Sequence, residues 1–147
     1  MRRFAAMIAS LIVAIAPTGA PVAAQDAYGD YQARQRNLTR LSLIFGELHH
    51  IRRMCEPRRE ADVWRNRMKK LVDLEEPTAA QRNAMVEAFN KGYRDARRAY
   101  ASCERAAEDR AAASAAEGER IVEALASALR PADDALAAGP TVTRGRN

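Results

Sequence analysis

The sequence predicts an all-α protein: an antiparallel helical hairpin or a small bundle of three to four helices, with one long helix and a disulfide staple. Three observations predict it. Apolar residues recur at spacings of three and four over most of the 147 residues, prolines divide this pattern into segments, and no stretch alternates as a β-strand would. With only 5% aromatic residues the core is modest, so a covalent staple would help the domain to fold.

The first helix is predicted to begin near Asn37 and to end before Pro57, because proline disfavours helical backbone at the residue preceding it. Residues 25–35 are polar and lack an apolar period, so we expect a flexible lead-in there, and the helical domain is predicted to span residues 36–130. The apolar stripe of this first helix comprises Leu38, Leu41, Ile44, Phe45, Leu48, Ile51 and Cys55.

Two further helices follow on either side of a turn at Pro77. Thr78 and Gln81 have the spacing of a capping box, which predicts that the third helix begins there. The stripe of the second helix comprises Trp64, Met68, Leu71 and Leu74, and that of the third comprises Met85, Phe89, Tyr93, Ala96, Tyr100 and Cys103.

The end of the helical domain is less sharply marked. The alanine-rich stretch after Cys103 contains no strong stop before Gly118, so the third helix is predicted to be long. The last apolar face, Ile121, Val122, Leu125 and Leu129, belongs either to a separate helix after Gly118 or to a helix continuing through it. Residues 131–147 have no apolar period, which predicts a disordered C-terminal tail.

The N-terminus has the features of a secretory signal peptide spanning residues 1–24. Two arginines follow the first methionine, residues 4–16 are almost wholly apolar, and Pro17 interrupts that run. Val22 and Ala24 occupy the two positions where signal peptidase prefers small residues, so cleavage is predicted between Ala24 and Gln25. A retained membrane anchor is the alternative, but the run is shorter than the roughly 20 residues that span a bilayer.

The processed chain would therefore be periplasmic or secreted, without a transmembrane anchor. Cleavage would remove two of the 24 basic side chains and leave 22 against 19 acidic ones, a formal charge of +3. In an oxidising compartment an even number of cysteines indicates a disulfide, and Cys55 and Cys103 allow only one pairing. Helices two and three would run out and back, which returns Cys103 to the end of the chain's first helix.

The segment Phe89-Asn90-Lys91-Gly92-Tyr93-Arg94 precedes Cys103, and Cys55, Trp64, Met68 and Leu71 precede that segment. With this pattern the chain resembles an uncharacterised family of exported alphaproteobacterial proteins with two well-separated cysteines. The resemblance spans about residues 41–129, and the Phe-Asn-x-Gly-Tyr segment before the second cysteine is its most specific part. It implies a signal peptide, a disulfide and no assigned activity, and it carries over no catalytic residue. The residues that carry it are Cys55, Trp64, Met68, Leu71, Phe89, Asn90, Lys91, Gly92, Tyr93, Arg94 and Cys103.

No constellation of catalytic or metal-ligating residues is recognisable, so we expect no cofactor and no enzymatic activity. His49 and His50 are adjacent, and neighbours on a helix point about 100° apart, which prevents both from facing one metal ion. Glu47 and His50 form one Glu-x-x-His step, but di-iron bundles need a second copy and two further carboxylates. No serine lies in a nucleophile elbow.

Gly92 interrupts the third helix pattern at a cost of about 1 kcal/mol relative to alanine, so its lack of a side chain must have a use. Close helix packing is one explanation. The alternative is a polar recognition segment, Phe89 to Arg94, in which Asn90, Tyr93 and Arg94 contact a ligand and Arg94 offers a bidentate donor to a carboxylate or phosphate.

The segment 52–70 is the strongest candidate for an interaction surface. It carries eight basic residues against three acidic ones, so it is either a solvated helix face or a surface that binds an acidic partner. The eight are Arg52, Arg53, Arg58, Arg59, Arg65, Arg67, Lys69 and Lys70.

The leading prediction for function is a non-enzymatic interaction or scaffold protein of the cell envelope, bound to an unidentified envelope protein. A binder of anionic envelope lipid or polysaccharide is the alternative, and a cryptic enzyme or metal protein is a third class. Nucleic acid is not an expected partner, because an exported protein with intermixed charges seldom meets it. The sequence also allows a homodimer through the alanine-rich helix, since small residues allow two helices to approach closely.

Overall fold

The computed structural model describes residues 22–128, with side chains from residue 25 onward. They form four helices: α1 (Val22–Cys55), α2 (Val63–Glu75), α3 (Ala79–Ala99) and α4 (Arg105–Ser127). This part of the chain contains no strand, and the predicted all-α bundle is confirmed. The predicted tail, residues 131–147, lies outside the described residues, as does the predicted signal peptide except for its last three residues, 22–24.

Helix α1 is the centre of the fold, and each of the other three helices packs against it. Helix α2 runs antiparallel to α1. Arg34, in the first half of α1, donates to Glu75 at the end of α2 at 2.7 Å, whereas the ring of Phe45, further along α1, lies 5.7 Å from that of Trp64 at the start of α2. At 1.5 Å per residue α1 is about 50 Å long, much longer than any of its neighbours.

Helices α3 and α4 cover other sides of α1 in opposite directions. Arg40 pairs with Glu117 at 2.6 Å and Arg110 pairs with Glu47 at 2.5 Å, so α4 is antiparallel to α1. Helix α3 is parallel to α1, because its start contacts residue 35 through Gln81 and its end contacts residue 50 through Tyr100. Consecutive helices thus alternate in direction around one central helix.

The core consists of two apolar clusters that follow one another along α1. The first contains Leu38, Leu41, Met68, Val72, Met85 and Leu125. The second contains Ile44, Leu48, Ile51, Ala96, Ala107 and Ala111. The predicted stripe of the first helix is therefore the core of the fold, and its five aliphatic residues from Leu38 to Ile51 are all at most 2% exposed.

The flexible lead-in expected over residues 25–35 is instead helical, since α1 begins at Val22. The contacts that this segment makes with other helices are polar. The prediction relied on the spacing of apolar residues, which does not detect polar contacts. Arg34 is paired with Glu75, and the Gln81 side-chain amide donates to the Gln35 carbonyl at 3.0 Å and to Thr39 Oγ1 at 3.2 Å. The Gln81 side chain is therefore engaged with α1 and does not bond back to Thr78. Of the two hydrogen bonds of the predicted capping box, only one is formed: Thr78 Oγ1 accepts from the Gln81 backbone amide at 3.3 Å.

The helical structure is interrupted between α3 and α4, at residues 100–104. It is not interrupted at Gly118, which lies inside the continuous helix α4. Tyr100 leaves the helix with extended backbone, φ −130° and ψ 103°, and its carbonyl accepts from His50. Cys103 belongs to this connection rather than to an apolar helix face. Alanine is the best helix former, so the alanine-rich sequence conceals a break that tertiary contacts impose.

Besides Cys103, two further predicted core positions are exposed. Leu74 is 71% exposed, because its neighbour Glu75 turns toward Arg34 and adjacent helical residues point about 100° apart; Val72 is buried in its place. Val122 is 50% exposed, while Leu125 is buried as predicted.

Candidate functional site

The disulfide closes one end of the bundle. Cys55 is the last residue of α1, Cys103 lies just before α4, and their Cα atoms are 5.1 Å apart. The predicted bond is confirmed, although it joins α1 to the α3–α4 connection rather than to α3 itself. It leaves no free thiol among the described residues.

Gly92 serves close packing between α1 and α3. A Cβ added there would lie 2.1 Å from the Leu43 carbonyl oxygen and 3.0 Å from the Glu47 amide nitrogen, both on α1. Gly46 faces it on α1, where an added Cβ would lie 1.9 Å from the Phe89 carbonyl oxygen. The two helices cross backbone to backbone at this point, which supports the packing explanation for Gly92.

The predicted recognition segment, Phe89 to Arg94, is divided between two sides of α3. Phe89 and Tyr93 face α1, where their rings lie 5.8 Å and 5.6 Å from that of His49. Asn90 and Arg94 are exposed on the outer side. The five residues therefore do not converge on one site.

The two histidines have different surroundings. His50 Nε2 donates to the Tyr100 carbonyl at 2.9 Å, at the point where α3 ends. His49 is 6% exposed, and its Nδ1 is buried without a hydrogen-bond partner among the described residues. Burial lowers the pKa of His49, and the positive charges of Arg53 and Arg65 lower it further.

Glu47 belongs to a buried polar cluster between α1 and α4. Its carboxylate accepts from Arg110 Nε at 2.5 Å, from Arg110 Nη2 at 3.1 Å and from Ser114 Oγ at 2.7 Å. Ser114 is 1% exposed, and the hydrogen bond that Arg110 donates to Glu47 raises the pKa of Arg110. With its oxygens so engaged, Glu47 joins α1 to α4 through these hydrogen bonds.

The eight basic residues of segment 52–70 do not form one continuous face. Arg65 and Arg67 are two positions apart on α2 and so point about 200° apart around it. Arg65 acts electrostatically on His49, whereas Arg67 lies over the Trp64 ring, 4.5 Å from its centroid, on the opposite side. Seven of the eight are exposed: Arg53, Arg58, Arg59, Arg65, Arg67, Lys69 and Lys70.

Arg52 is the half-buried member of the eight. Its Nε is buried and has no hydrogen-bond partner within residues 22–128. We name the exposed residues other than Arg67, which stacks on Trp64, the basic surface: Arg53, Arg58, Arg59, Arg65, Lys69 and Lys70. It spans the end of α1, the α1–α2 connection and the outer side of α2.

A groove separates α2 from α4 and opens over α1. Its volume is about 290 Å³, Trp64 and Arg67 line it on the α2 side, and Gly118 and Glu119 line it on the α4 side. Its floor is apolar and comes from α1 residues Leu41, Ile44, Phe45 and Leu48. We refer to it as the α2–α4 groove.

Two other kinds of feature are absent from the described part of the chain. None of its helices is both long and apolar enough to cross a membrane. No group of three or more His, Cys, Asp or Glu side chains in residues 22–128 is arranged to hold a metal ion.

Sequence reasoning missed Gly46, the Glu47 cluster and the α2–α4 groove. Gly46 interrupts a helix pattern just as Gly92 does, so the same argument would have found it. The partners of Glu47, Arg110 and Ser114, lie more than 60 residues away, and no local pattern could have connected them. The α2–α4 groove depends on the distance between those two helices, which a sequence pattern does not give.

Residues 33–129 match a family model whose description is Protein of unknown function (DUF2385). This range contains most of α1 and all of α2, α3 and α4. No curated protein matches the chain, and no solved structure matches it.

Proposed function

Because the chain belongs to a family of proteins of unknown function (DUF2385), its chemistry must be argued from its own surface, and we propose a non-enzymatic interaction protein of the cell envelope. In this proposal the basic surface binds an acidic region of another envelope protein. One observation carries it: six exposed cations lie close together along the chain, from the last turn of α1 to the middle of α2, and none of them forms an ion pair within residues 22–128.

Three arginines outside the basic surface have structural partners. Elsewhere, Arg34, Arg40 and Arg110 are bound by carboxylates that hold helices together. The basic surface has no such structural use, and its charges repel one another at a small cost in stability. An acidic partner would relieve that repulsion and speed association by electrostatic attraction.

Two features support a rigid surface in an oxidising compartment. The Cys55–Cys103 bond closes the end of the bundle from which Arg58 and Arg59 project. Disulfides persist outside the reducing cytoplasm, in agreement with the proposed signal peptide and export. A surface held in this way loses little conformational entropy when it binds.

The test is a proximity pulldown in the periplasm with a charge-reversed variant, in which Arg58, Arg59, Lys69 and Lys70 become Glu. We expect one envelope protein to be enriched by the natural chain and lost with this variant. Raising the salt concentration should weaken the interaction, because ions screen exposed charges.

A matched control reverses four exposed cations that lie away from the basic surface and that also form no ion pair in the described structure. It has the same total charge as the first variant, and it should retain the partner. Loss of the partner in both variants, or in neither, would contradict the assignment of the surface. Retention on anionic vesicles without any protein partner would favour the alternative, a binder of anionic lipid. The control residues are Arg36, Arg82, Arg94 and Arg97.

A further inference from the structure

The two cysteines of the disulfide differ in how far solvent reaches them. Cys103 is exposed, and so is every residue of the segment 101–106 around it. Cys55 is half-buried and packs against the second apolar cluster, in which Ile51 is 0% exposed. The rate of thiol–disulfide exchange depends on which sulfur an attacking thiolate can reach. An external thiol therefore meets Cys103 first.

The charges near the two sulfurs also differ. Glu108 Oε1 lies 4.0 Å from Cys103 Sγ, so this carboxylate would repel a thiolate formed on Cys103. Arg52 lies three positions before Cys55, which makes the two neighbours on one side of α1. Its Nε is buried without a hydrogen-bond partner, and Arg52 forms no ion pair with any described residue. Cys55 is therefore the better leaving group, because its thiolate would gain a counter-ion.

Opening of the disulfide does not require unfolding of the bundle, because other contacts hold the helices that it joins. Helix α4 keeps the hydrogen bonds that Arg110 and Ser114 donate to Glu47. The end of α3 keeps the bond from His50 to the Tyr100 carbonyl. Only the connection after Tyr100 and the last turn of α1 lose a covalent link. The sulfur of Cys103 is thus open to attack in the folded chain.

We propose that Cys103 is an exchange site for a low-molecular-weight thiol, which forms a mixed disulfide there and releases Cys55. The thiol gives its proton to water, and its sulfur bonds to Cys103 Sγ as the bond to Cys55 Sγ breaks. The electron pair of the broken bond passes to Cys55, which then takes a proton from water. One disulfide replaces another, so no further oxidant or reductant is needed.

The experiment treats the purified, oxidised chain with glutathione and stops samples early with excess N-ethylmaleimide, which blocks every free thiol. Peptide mass spectrometry then locates both labels. We expect glutathione on Cys103 and N-ethylmaleimide on Cys55 in most of the first product. Equal amounts of the two possible arrangements, or an excess of glutathione on Cys55, would overturn the proposal.

The dependence of the initial rate on urea shows whether the folded chain reacts. Below the unfolding transition, attack on the folded chain should change by less than about twofold, whereas attack on the unfolded fraction alone would rise about tenfold per molar urea. Initial rates make the result independent of the stability of the product. A rate that follows the unfolded fraction would overturn the proposal.

Variants test the role of Arg52 as a positioning residue for the Cys55 thiolate. Arg52→Gln should slow the initial exchange about fivefold, with glutathione and equally with the uncharged thiol 2-mercaptoethanol. Arg53→Gln is the matched control: it removes the same charge from a side chain that points about 100° away around α1, and it should stay within about twofold of the natural chain.

The far-UV spectrum checks that both variants fold. Equal exchange rates in the two variants would overturn the assignment of Cys55 as the leaving group. If Arg52→Gln fails to fold, the position of the first glutathione label decides. The exchange site and the basic surface do not require each other, so failure here leaves the charge-reversal pulldown unaffected.

Discussion

Gly46 and Gly92 face each other where α1 and α3 cross, and each removes the side chain that would strike the other helix's backbone. A Cβ at Gly46 would lie 1.9 Å from the Phe89 carbonyl oxygen, and one at Gly92 would lie 2.1 Å from the Leu43 carbonyl oxygen. Two parallel helices therefore touch through their main chains. Each glycine carries its usual cost in helical stability, and the close approach offsets it.

Gly92→Ala should destabilise the protein, because a single methyl group would force the two backbones apart. Overpacking of this kind costs about 2 kcal/mol, measured as the change in free energy of unfolding in urea. The matched control is Gly118→Ala, at a buried helical glycine with room for a Cβ. It should be neutral or stabilising by up to about 1 kcal/mol. Equal stability of the two variants would contradict the packing role of Gly92.

Glu47→Gln should also destabilise the fold. It would leave Arg110 without its counter-ion and weaken the contact with Ser114, which is 1% exposed. Removing one partner of a buried pair costs several kcal/mol, but the Arg110 side chain is 41% exposed and partly hydrated, so we expect about 2 kcal/mol.

The comparison variant for Glu47 is Glu117→Gln, which breaks the other ion pair between α1 and α4. The pair of Arg40 and Glu117 is more exposed, at 43% and 30% of the two side chains, so its loss should cost at most about 1 kcal/mol. Urea unfolding of both variants measures the difference. If Glu117→Gln lowered the free energy of unfolding more than Glu47→Gln, the buried cluster around Glu47 would not be the stronger of the two contacts between α1 and α4.

Reduction of the disulfide should lower stability by about 4 kcal/mol in the chain-entropy model, since Cys55 and Cys103 are 48 residues apart. The measurement is the melting temperature with and without a reductant. A double Cys→Ser variant should melt at the temperature of the reduced protein and be insensitive to reductant. Mass spectrometry of the unreduced protein should show two hydrogens fewer than the sequence requires; two free thiols would contradict the bond.

The sequence predicts those parts of the fold that depend on a helical period and on strong local signals. The stripe from Leu38 to Ile51, the start of α3 at Thr78 and the disulfide were all accessible in this way. The helical residues 25–35 were not, because contacts such as the pair between Arg34 and Glu75 connect positions 41 residues apart.

The break between α3 and α4 and the division of the basic segment escaped prediction for related reasons. Alanine favours helix on both sides of residues 100–104, so the turn is set by the bonds of Tyr100 and Cys103 to α1. Charge counting likewise treats Arg65 and Arg67 as equivalent. Only the arrangement of α2 between its neighbours sends one toward His49 and the other over Trp64.

His49 should make stability depend on pH. Its pKa in the folded protein lies below the ordinary histidine value of about 6.5, primarily because burial disfavours the charged ring. The unfolded chain therefore binds a proton more readily than the folded one, and stability from this group is complete above about pH 6.5 and is lost as the pH falls through the folded pKa. The groups acting on the ring are Arg53, Arg65 and His50, which oppose its protonation, and Asp62, which favours it.

The check is urea unfolding at about pH 8 and about pH 5, on either side of the ordinary histidine pKa. The natural chain should lose more stability between these two values than His49→Gln, which keeps a polar planar side chain but does not titrate. His50→Gln is the matched control, because the adjacent ring is less buried than that of His49 and donates to the Tyr100 carbonyl. If His49→Gln shows the same pH dependence as the natural chain, other groups cause the effect, and the buried neutral ring of His49 plays no part in it.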